Sequence, residues 1–545
     1  MRNRKFDYLV LAALWLFATY WNLDKAFHID DTGHLEIARW IEGNPLHPMS
    51  GMINWNDVYE PIHQLNQPHL YFYLMALWGH FWGYSEVSMH LLMSLFALWA
   101  ISGFYRLATL LDRDNALVYT GLFAMSPGFV VGQNSMVDVP MMAIWIEFFY
   151  TLMNPAYGNV RRNGLASILC SAALLVKYTS VLLLPAMALH ALLRRRPGDT
   201  WWLLVPATVL LLWSLFNWYD YGGVHLLGRS VAPKSLGTYA NLALAWTVLL
   251  GAISPFAIFA FLANAAHPHA GRIQPVWWVF ALGALLAPMA VTISLVFPSA
   301  VGLNHALLWV SFMASGIGLQ CLGVYRFAHP RGLGQDPVQR VLLAYWAAAA
   351  MCFVVLYAPF MAARHVLAAV PAIVLLTVPP LAHWKHFGKV AVFTWVVTAA
   401  TSSMLAKADQ WYASIYRDAP MLLAEKLAGK NGQTWFVGHW GWQWYAQKVG
   451  WRQWAPQSEQ PQVGDHLIAP LQALGGDLPR EVELALVGNY VLRPVNWVEH
   501  YASVGLYFNQ YDLPWSYSTD LVEQFAVYRV AAIKDRVAPS GDKAP

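Results

Sequence analysis

Charge is what this chain has least of. Asp, Glu, Lys and Arg make up 12% of its 545 residues and hydrophobic types 58%, whereas an ordinary soluble domain carries about 25% charged residues. The deficit excludes a soluble globular chain and argues for lipid as the solvent. Cysteine is nearly missing too. Cys170, Cys321 and Cys352 all sit inside apolar runs, and the polar C-terminal stretch has none, which excludes a disulfide framework. No small-residue cleavage site follows the first apolar run, "FDYLVLAALWLFATYW", so it reads as an uncleaved membrane helix rather than a signal peptide. With a net charge of only +4, no nucleic-acid partner is expected.

What is present is a succession of apolar runs, near 7–24, 86–111, 116–132, 138–153, 164–176, 179–193, 201–218, 239–263, 275–298, 304–325, 340–358, 364–382 and 389–405. They predict an α-helical polytopic membrane protein with about 13 transmembrane helices. The fifth and sixth runs are short and parted by Lys177-Tyr178. The basic residues support this count. With the N-terminus cytoplasmic, sixteen Lys/Arg fall in inside loops. Only Lys25, Arg39, Lys177, Arg229, Lys234 and Arg364 fall in outside loops before residue 406, as the positive-inside rule requires. Fusing the fifth and sixth runs would put Arg194, Arg195 and Arg196 outside. The expectation is a multi-pass protein of the inner (plasma) membrane, with residues 1–405 as its membrane domain.

Two regions do not read as spans. The first external loop, 25–85, is long and structured. Within it "DTGHLEIARWIEG" places Leu35, Ala38 and Ile41 on one helical face with Glu36 and Arg39 opposite, the pattern of an interfacial amphipathic helix. "HLYFYLMALWGHFWG" (69–83) reads as a second surface helix or the start of the next span. Residues 406–545 have ordinary charge density and predict a small extracytoplasmic α/β domain. There "TWFVGHW", "DHLIAP" and "FAVYRVAAI" read as strands, and "DAPMLLAEKLAGK" as a helix N-capped by Asp418. Trp435, Trp440, Trp442, Trp444, Trp451 and Trp454 crowd one stretch of it. They suit interfacial anchoring, or stacking on a sugar.

The loop sequence "FHIDDTGHLEIARW" (27–40) sets Asp30 and Asp31 side by side where a membrane helix meets the outside. Asp31 would cap the following helix, which leaves Asp30 unexplained. A carboxylate near an apolar wall has its pKa raised and becomes a candidate general base for a hydroxyl nucleophile. His28, Asp30, Asp31 and His34 also have the residue types of a metal set, but no diagnostic spacing. Lys177 and Arg364 both sit at outer ends of spans. Each would snorkel to the interface, or the two would converge on a phosphate, Arg as a fork and Lys as a point charge. Asp138 opens another outer-side helix and serves equally as a plain N-cap. Arg229 lies in a Gly/Pro/Ser-containing external loop.

Taken together, the acidic pair followed by "HLEIARWI" and "QPHLYFYLMALWGHFWGYSEVSMHLL" resembles the polytopic glycosyltransferases of the GT-C superfamily. Bacterial protein O-mannosyltransferases and lipid A aminoarabinose transferases show this pattern. "NSMVDVPMMAIWIEFFYT", "ALLVKYTSVLLLPAMALHALL" and "ARHVLAAVPAIVLL" follow in the order of that superfamily, so the resemblance covers about 27–385. It implies a GT-C type fold and a monosaccharide donor linked to polyprenyl phosphate. The acceptor would be a hydroxyl or phosphate of a protein, lipid A or another envelope glycan. Asp30 falls on the family's catalytic aspartate and Asp31 on its acidic partner. Lys177 and Arg364 fall where basic residues hold the donor phosphate. His34, Asp138, Tyr178, Arg229 and His365 are candidate substrate contacts; His365 stands where the family often has an aromatic. The implied reaction is an inverting single displacement with Asp30 as base. No cofactor is required, although a divalent cation has room to act. The alternatives are a glycan ligase using a lipid diphosphate and a secondary transporter, the latter disfavoured because the charges cluster at outer ends rather than mid-membrane.

Overall fold

The computed structural model describes all residues except 1–3, 55–58, 66, 230–232, 267–272, 298, 330–335, 379–383, 457–458, 472, 474–477, 493–504, 510–511, 518–522 and 535–545. Arg2, Arg272 and Arg331 of the basic tally fall outside the described residues. In chain order the first helices are α1 (Arg4–Tyr20), α2 (Asp31–Gly43), α3 (Leu70–Trp82), α4 (Glu86–Leu111), α5 (Ala116–Ala124), α6 (Pro127–Val131) and α7 (Asp138–Met153). Then come α8 (Asn159–Val176), α9 (Leu183–Leu193), α10 (Leu204–Tyr221), α11 (Leu236–Ala252), α12 (Ala257–Ala265), α13 (Gln274–Ala284) and α14 (Leu286–Val296). The last are α15 (Val301–Ala328), α16 (Pro337–Tyr357), α17 (Ala363–Leu367), α18 (Val370–Thr377), α19 (Phe387–Leu427) and α20 (Gly441–Lys448).

The described part of each apolar run marked in the sequence falls mainly on one of these helices or on a consecutive pair. Among the described residues, six stretches are long and apolar enough to cross a membrane: Glu86–Leu111, Pro197–Tyr221, Gln274–Val296, Val301–Ala328, Pro337–Tyr357 and Phe387–Leu427. α11 and α12 make a seventh if their 82° bend lies within one broken span. Of the remaining runs, α1, α7 and α8 are single helices, and others are broken for local reasons. Pro127 opens α6 and Pro371 opens α18, because proline suits a first helical turn and ends the helix before it. Lys177 terminates α8 in an extended conformation (φ −156°, ψ 128°), which keeps α8 and α9 separate. The outward helix faces are apolar: Leu211, Leu212, Leu215, Leu282 and Val296 are all exposed, as lipid requires. Inside, α11 and α15 cross so closely that a methyl group on Gly251 would overlap the Phe312 carbonyl, and one on Gly316 the Thr247 carbonyl. Small residues are what let membrane helices approach to backbone contact.

β1 (Met52–Asn54) and β2 (Tyr59–Pro61) form a small antiparallel pair in the first loop. The C-terminal region folds as β3 (Thr434–Phe436), β4 (Arg452–Gln453), β5 (His466–Pro470), β6 (Val482–Leu492) and β7 (Glu523–Ile533), in sheet order β4-β3-β5-β7-β6. β3 pairs in parallel with β4 and β5, and β7 runs antiparallel to β5 and β6. Three of these are the strands expected; β4 and β6 are additional, and β6 is largely apolar even on its exposed side, where Leu486, Val487 and Val491 lie.

Several expectations need correction. Asp418 is no N-cap: it lies within α19, 41 residues long, which continues across position 406. Asp31 is the first residue of α2 and does not cap it either; Asp30 occupies the cap position without a capping bond. The helix α2 has the expected bounds, but it does not float on a membrane surface. Leu35, Ile37, Ala38 and Ile41 are all buried, and its polar side is covered by the C-terminal region. Gln443 donates to Glu36 Oε1 (2.7 Å), and Thr32 donates to the Trp440 carbonyl (2.9 Å). The tryptophans are neither membrane anchors nor a sugar platform. Trp435, Trp442, Trp444, Trp451 and Trp454 are buried in the packing of the tail and its seam with α2, and Trp440 is half-buried.

Candidate active site

The ends of several helices meet around a cavity of about 960 Å³, lined in part by Asp30, His34, Asp138, Lys177, Tyr178, Arg229, Arg364 and His365. All the sequence-derived site residues except Asp31 therefore share one chamber. Local structure explains how each gets there. Asp30 follows Ile29, whose φ of +51° is a left-handed conformation that costs a β-branched residue of the order of 1–3 kcal/mol. Asp138 sits in the first turn of α7 and Lys177 directly after the last turn of α8. Each is at the helix end whose partial charge it complements. Arg364 is carried by the short helix α17.

The charges interlock. Lys177 Nζ lies 2.6 Å from Asp138 Oδ1, and Arg364 Nη2 lies 3.2 Å from Asp30 Oδ2. Arg364 Nε is 4.0 Å from Asp138 Oδ2, so one guanidinium joins both carboxylates. Snorkelling does not describe these cations, whose side chains are only 13% and 14% exposed. Nor is Asp138 the N-cap: Val137 holds that position and Asp138 is the first residue of α7, its carboxylate paired with Lys177. His34 Nδ1 contacts the Ser135 carbonyl (3.1 Å), and burial holds this histidine below its usual pKa. His365 is largely enclosed, its ring 5.5 Å from Phe360.

On another wall, Trp213 donates to the Tyr178 hydroxyl (3.0 Å), which lies 3.0 Å from His225 Nδ1. His225 Nε2 is 2.8 Å from the Leu65 carbonyl. Burial lowers the His225 pKa to about 4, so the ring is neutral, and Arg229 Nη2 also lies against its Nε2. Arg229 straps this loop to the first one, donating to the carbonyls of His63 and Gln64 (3.1 Å each) and of Leu65. Lys234 Nζ donates to the carbonyls of Leu356 and Ala358. The lining thus carries four cations (Lys177, Arg229, Lys234 and Arg364) against two carboxylates (Asp30 and Asp138), a surplus that suits an anionic guest.

Asp31 is placed differently. It is fully buried beneath the loop and accepts from the His28 N–H (3.0 Å). Burial, partly offset by Lys25, pushes its pKa up to about 7. His28 faces away from the cavity, its ring edge-on to Tyr412 and Tyr507 at 5.1 and 5.0 Å. The four residues of the suggested metal set are therefore not brought together.

Sequence reasoning missed a second buried group. Lys25 Nζ lies 2.8 Å from Asp409 Oδ2 and also donates to Asn134 Oδ1. Tyr507 donates to both Asp409 oxygens (3.0 Å each) and accepts from Asn134 Nδ2 (2.9 Å). The available signal was Lys25 itself, a cation next to an apolar run; its partners lie in polar stretches where nothing marks them.

Residues 66–219 match the family model described as dolichyl-phosphate-mannose-protein mannosyltransferase. No curated protein matches by sequence. Among solved structures, ArnT from Cupriavidus metallidurans in the apo state is 14% identical, covering 86% of this chain and 93% of that one, with a TM-score of 0.42. The same protein bound to undecaprenyl phosphate is 13% identical, covering 89% and 96%, also at 0.42. The archaeal oligosaccharyltransferase AglB from Archaeoglobus fulgidus, in complex with an inhibitory peptide and a dolichol-phosphate, is 12% identical, covering 84% and 65%, at 0.49. Over the stretch that holds Asp138, Lys177 and Tyr178, then, this chain is similar to the dolichyl-phosphate-mannose-protein mannosyltransferases, in line with the GT-C resemblance read from its sequence.

Proposed function

We propose that this chain is an integral membrane glycosyltransferase that moves a monosaccharide from a polyprenyl-phosphate donor to an acceptor on the outer side of the membrane. The observation that carries this reading is the meeting of Asp30, Lys177 and Arg364 in one cavity with a surplus of positive charge. An apolar wall adjoins it. Val181 and Tyr357 line the cavity and are themselves 41% and 51% exposed on the outer faces of their helices, which gives a lipid tail a path from bilayer to chamber.

The phosphate of the donor sits between Lys177 and Arg364, and Arg364 then exchanges Asp30 for a phosphate oxygen. Freed of its partner, Asp30 accepts the proton of the acceptor hydroxyl as that oxygen bonds to the anomeric carbon. The bond from this carbon to the phosphate oxygen breaks on the opposite face. The configuration inverts, and the polyprenyl phosphate leaves stabilised by the two cations. Protein, lipid A and other envelope glycans all remain acceptors of the right chemistry. In this reading the thirteen apolar runs are spans, and the N-terminus is cytoplasmic in the inner (plasma) membrane.

Mass spectrometry of envelope glycolipids and surface proteins tests it, comparing cells that carry the wild-type chain with cells that carry Asp30→Asn at equal abundance. A sugar adduct present only with wild type is expected. Identical envelopes in both would overturn the proposal.

A further inference from the structure

Three segments bring the cavity's charges together: the loop with Asp30, the turn leading into Asp138 and α7, and the extended stretch leading into α17 and Arg364. All three are tied to one buried point. Lys25 stands five residues before Asp30, and Asn134 four before Asp138. The third tie runs through the C-terminal region. Met361 and Asn509 form an antiparallel bridge, Ala363 N–H donates to the Leu506 carbonyl (2.8 Å), and Asn509 N–H to the Met361 carbonyl (2.8 Å). The Phe508 ring lies 5.2 Å from that of Phe360, over which Arg364 rests at 5.8 Å. Between Leu506 and Phe508 stands Tyr507.

We infer that Lys25, Asn134, Asp409 and Tyr507 form a positioning node, outside the cavity, that sets Asp30, Asp138 and Arg364 at their working distances. The inference rests on the glycosyl-transfer reading above. The node has the properties such a device needs. Lys25 and Asp409 side chains are 0% and 1% exposed, so water neither competes with their bonds nor screens them. The geometry is over-determined: Asp409 receives Lys25 and Tyr507, and Asn134 spends its carbonyl on Lys25 and its amide on Tyr507. Removing any one group takes a bond from a buried polar partner and loosens the ties among the three segments. Two of the four residues come from beyond position 405. The C-terminal region therefore helps build the site rather than standing beside it.

The test uses the purified full-length chain in detergent, with undecaprenyl phosphate as the titrated probe and the thermal midpoint as the measure of folding. Tyr507→Phe removes the node's shared hydroxyl at nearly constant volume. Tyr119→Phe, which loses a hydroxyl bond to Asp112 (2.7 Å), is the control for a purely structural loss. Tyr507→Phe is expected to bind the probe about tenfold more weakly than wild type, with a thermal midpoint no lower than that of the control. If Tyr507→Phe cannot be recovered folded, the paired change Lys25→Met with Asp409→Leu removes both buried charges together, and the same tenfold loss is expected. Wild-type affinity in the recovered node variant, or an equal loss in Tyr119→Phe, overturns the node alone. A wild-type chain that does not bind the probe overturns the transfer reading, and the node with it.

Discussion

A carboxylate held 3.2 Å from a guanidinium is a poor base until something takes the guanidinium away. In the proposed reaction that something is the donor phosphate, so donor binding and activation of Asp30 would be one event. The arrangement makes Arg364 more demanding than Lys177, because it must bridge Asp30, Asp138 and phosphate in turn with one planar fork. Arg364→Ala is expected to weaken donor use at least about tenfold, since one bond to a charged group contributes roughly 1.5–3 kcal/mol. Arg364→Lys should restore only part of this, because a point charge cannot reproduce the fork. Donor titration of the two variants checks both statements; full recovery by lysine would refute the fork. Asp30, Lys177 and Arg364 were legible in the sequence because a charge at the end of an apolar run is costly and stands out. Asp409 and Tyr507 were not, because their stretch is already polar and their partner Lys25 lies 384 positions before Asp409.

Helices were easy to locate, and harder to assign to an environment. The described parts of the thirteen apolar runs fall mainly on helices, yet the period that made α2 amphipathic is the same whether its polar side meets water, headgroups or a protein domain. The buried tryptophans of the tail carry the same ambiguity: aromatic density reports a need for cover, not its source. Covering α2 has an electrostatic result. Burial raises Asp31 to about 7 and Glu36 to about 8, while both would titrate near 4 in an unfolded chain. Between those limits the folded state binds more protons. The stability these two groups contribute is thus fully present below about pH 4 and is lost as pH rises through 7 to 8. Thermal melts should show their contribution falling from pH 6 to pH 8.5, and Asp31→Asn should flatten the slope; an unchanged slope would place Asp31 in a wetter site. Packing between spans gives a second expectation. Gly251→Ala forces α11 from the Phe312 carbonyl of α15, and should lower the thermal midpoint by several degrees, whereas Gly302→Ala, with open space around it, should not.

For the whole molecule, the basic bias predicts an orientation that a reporter can read. One that is active only in the cytoplasm, fused after residue 545, is expected to be silent, and a signal there would reverse the topology. The C-terminal region is joined to the membrane part by an unbroken helix, α19, which runs from Phe387 to Leu427 and carries Asp409. It is also joined by Trp440, Gln443 and Tyr445 on the first loop, and by Leu506 and Asn509 beside Arg364. These ties impose an order on biosynthesis. The ribosome makes Lys25 and Asp30 long before Asp409 and Tyr507, so in the proposed topology the first loop waits on the far side of the membrane while the groups that will hold it are still being translated. On the proposed reading, a chain truncated before Tyr507 would insert without a complete site and could not spend lipid-linked sugar.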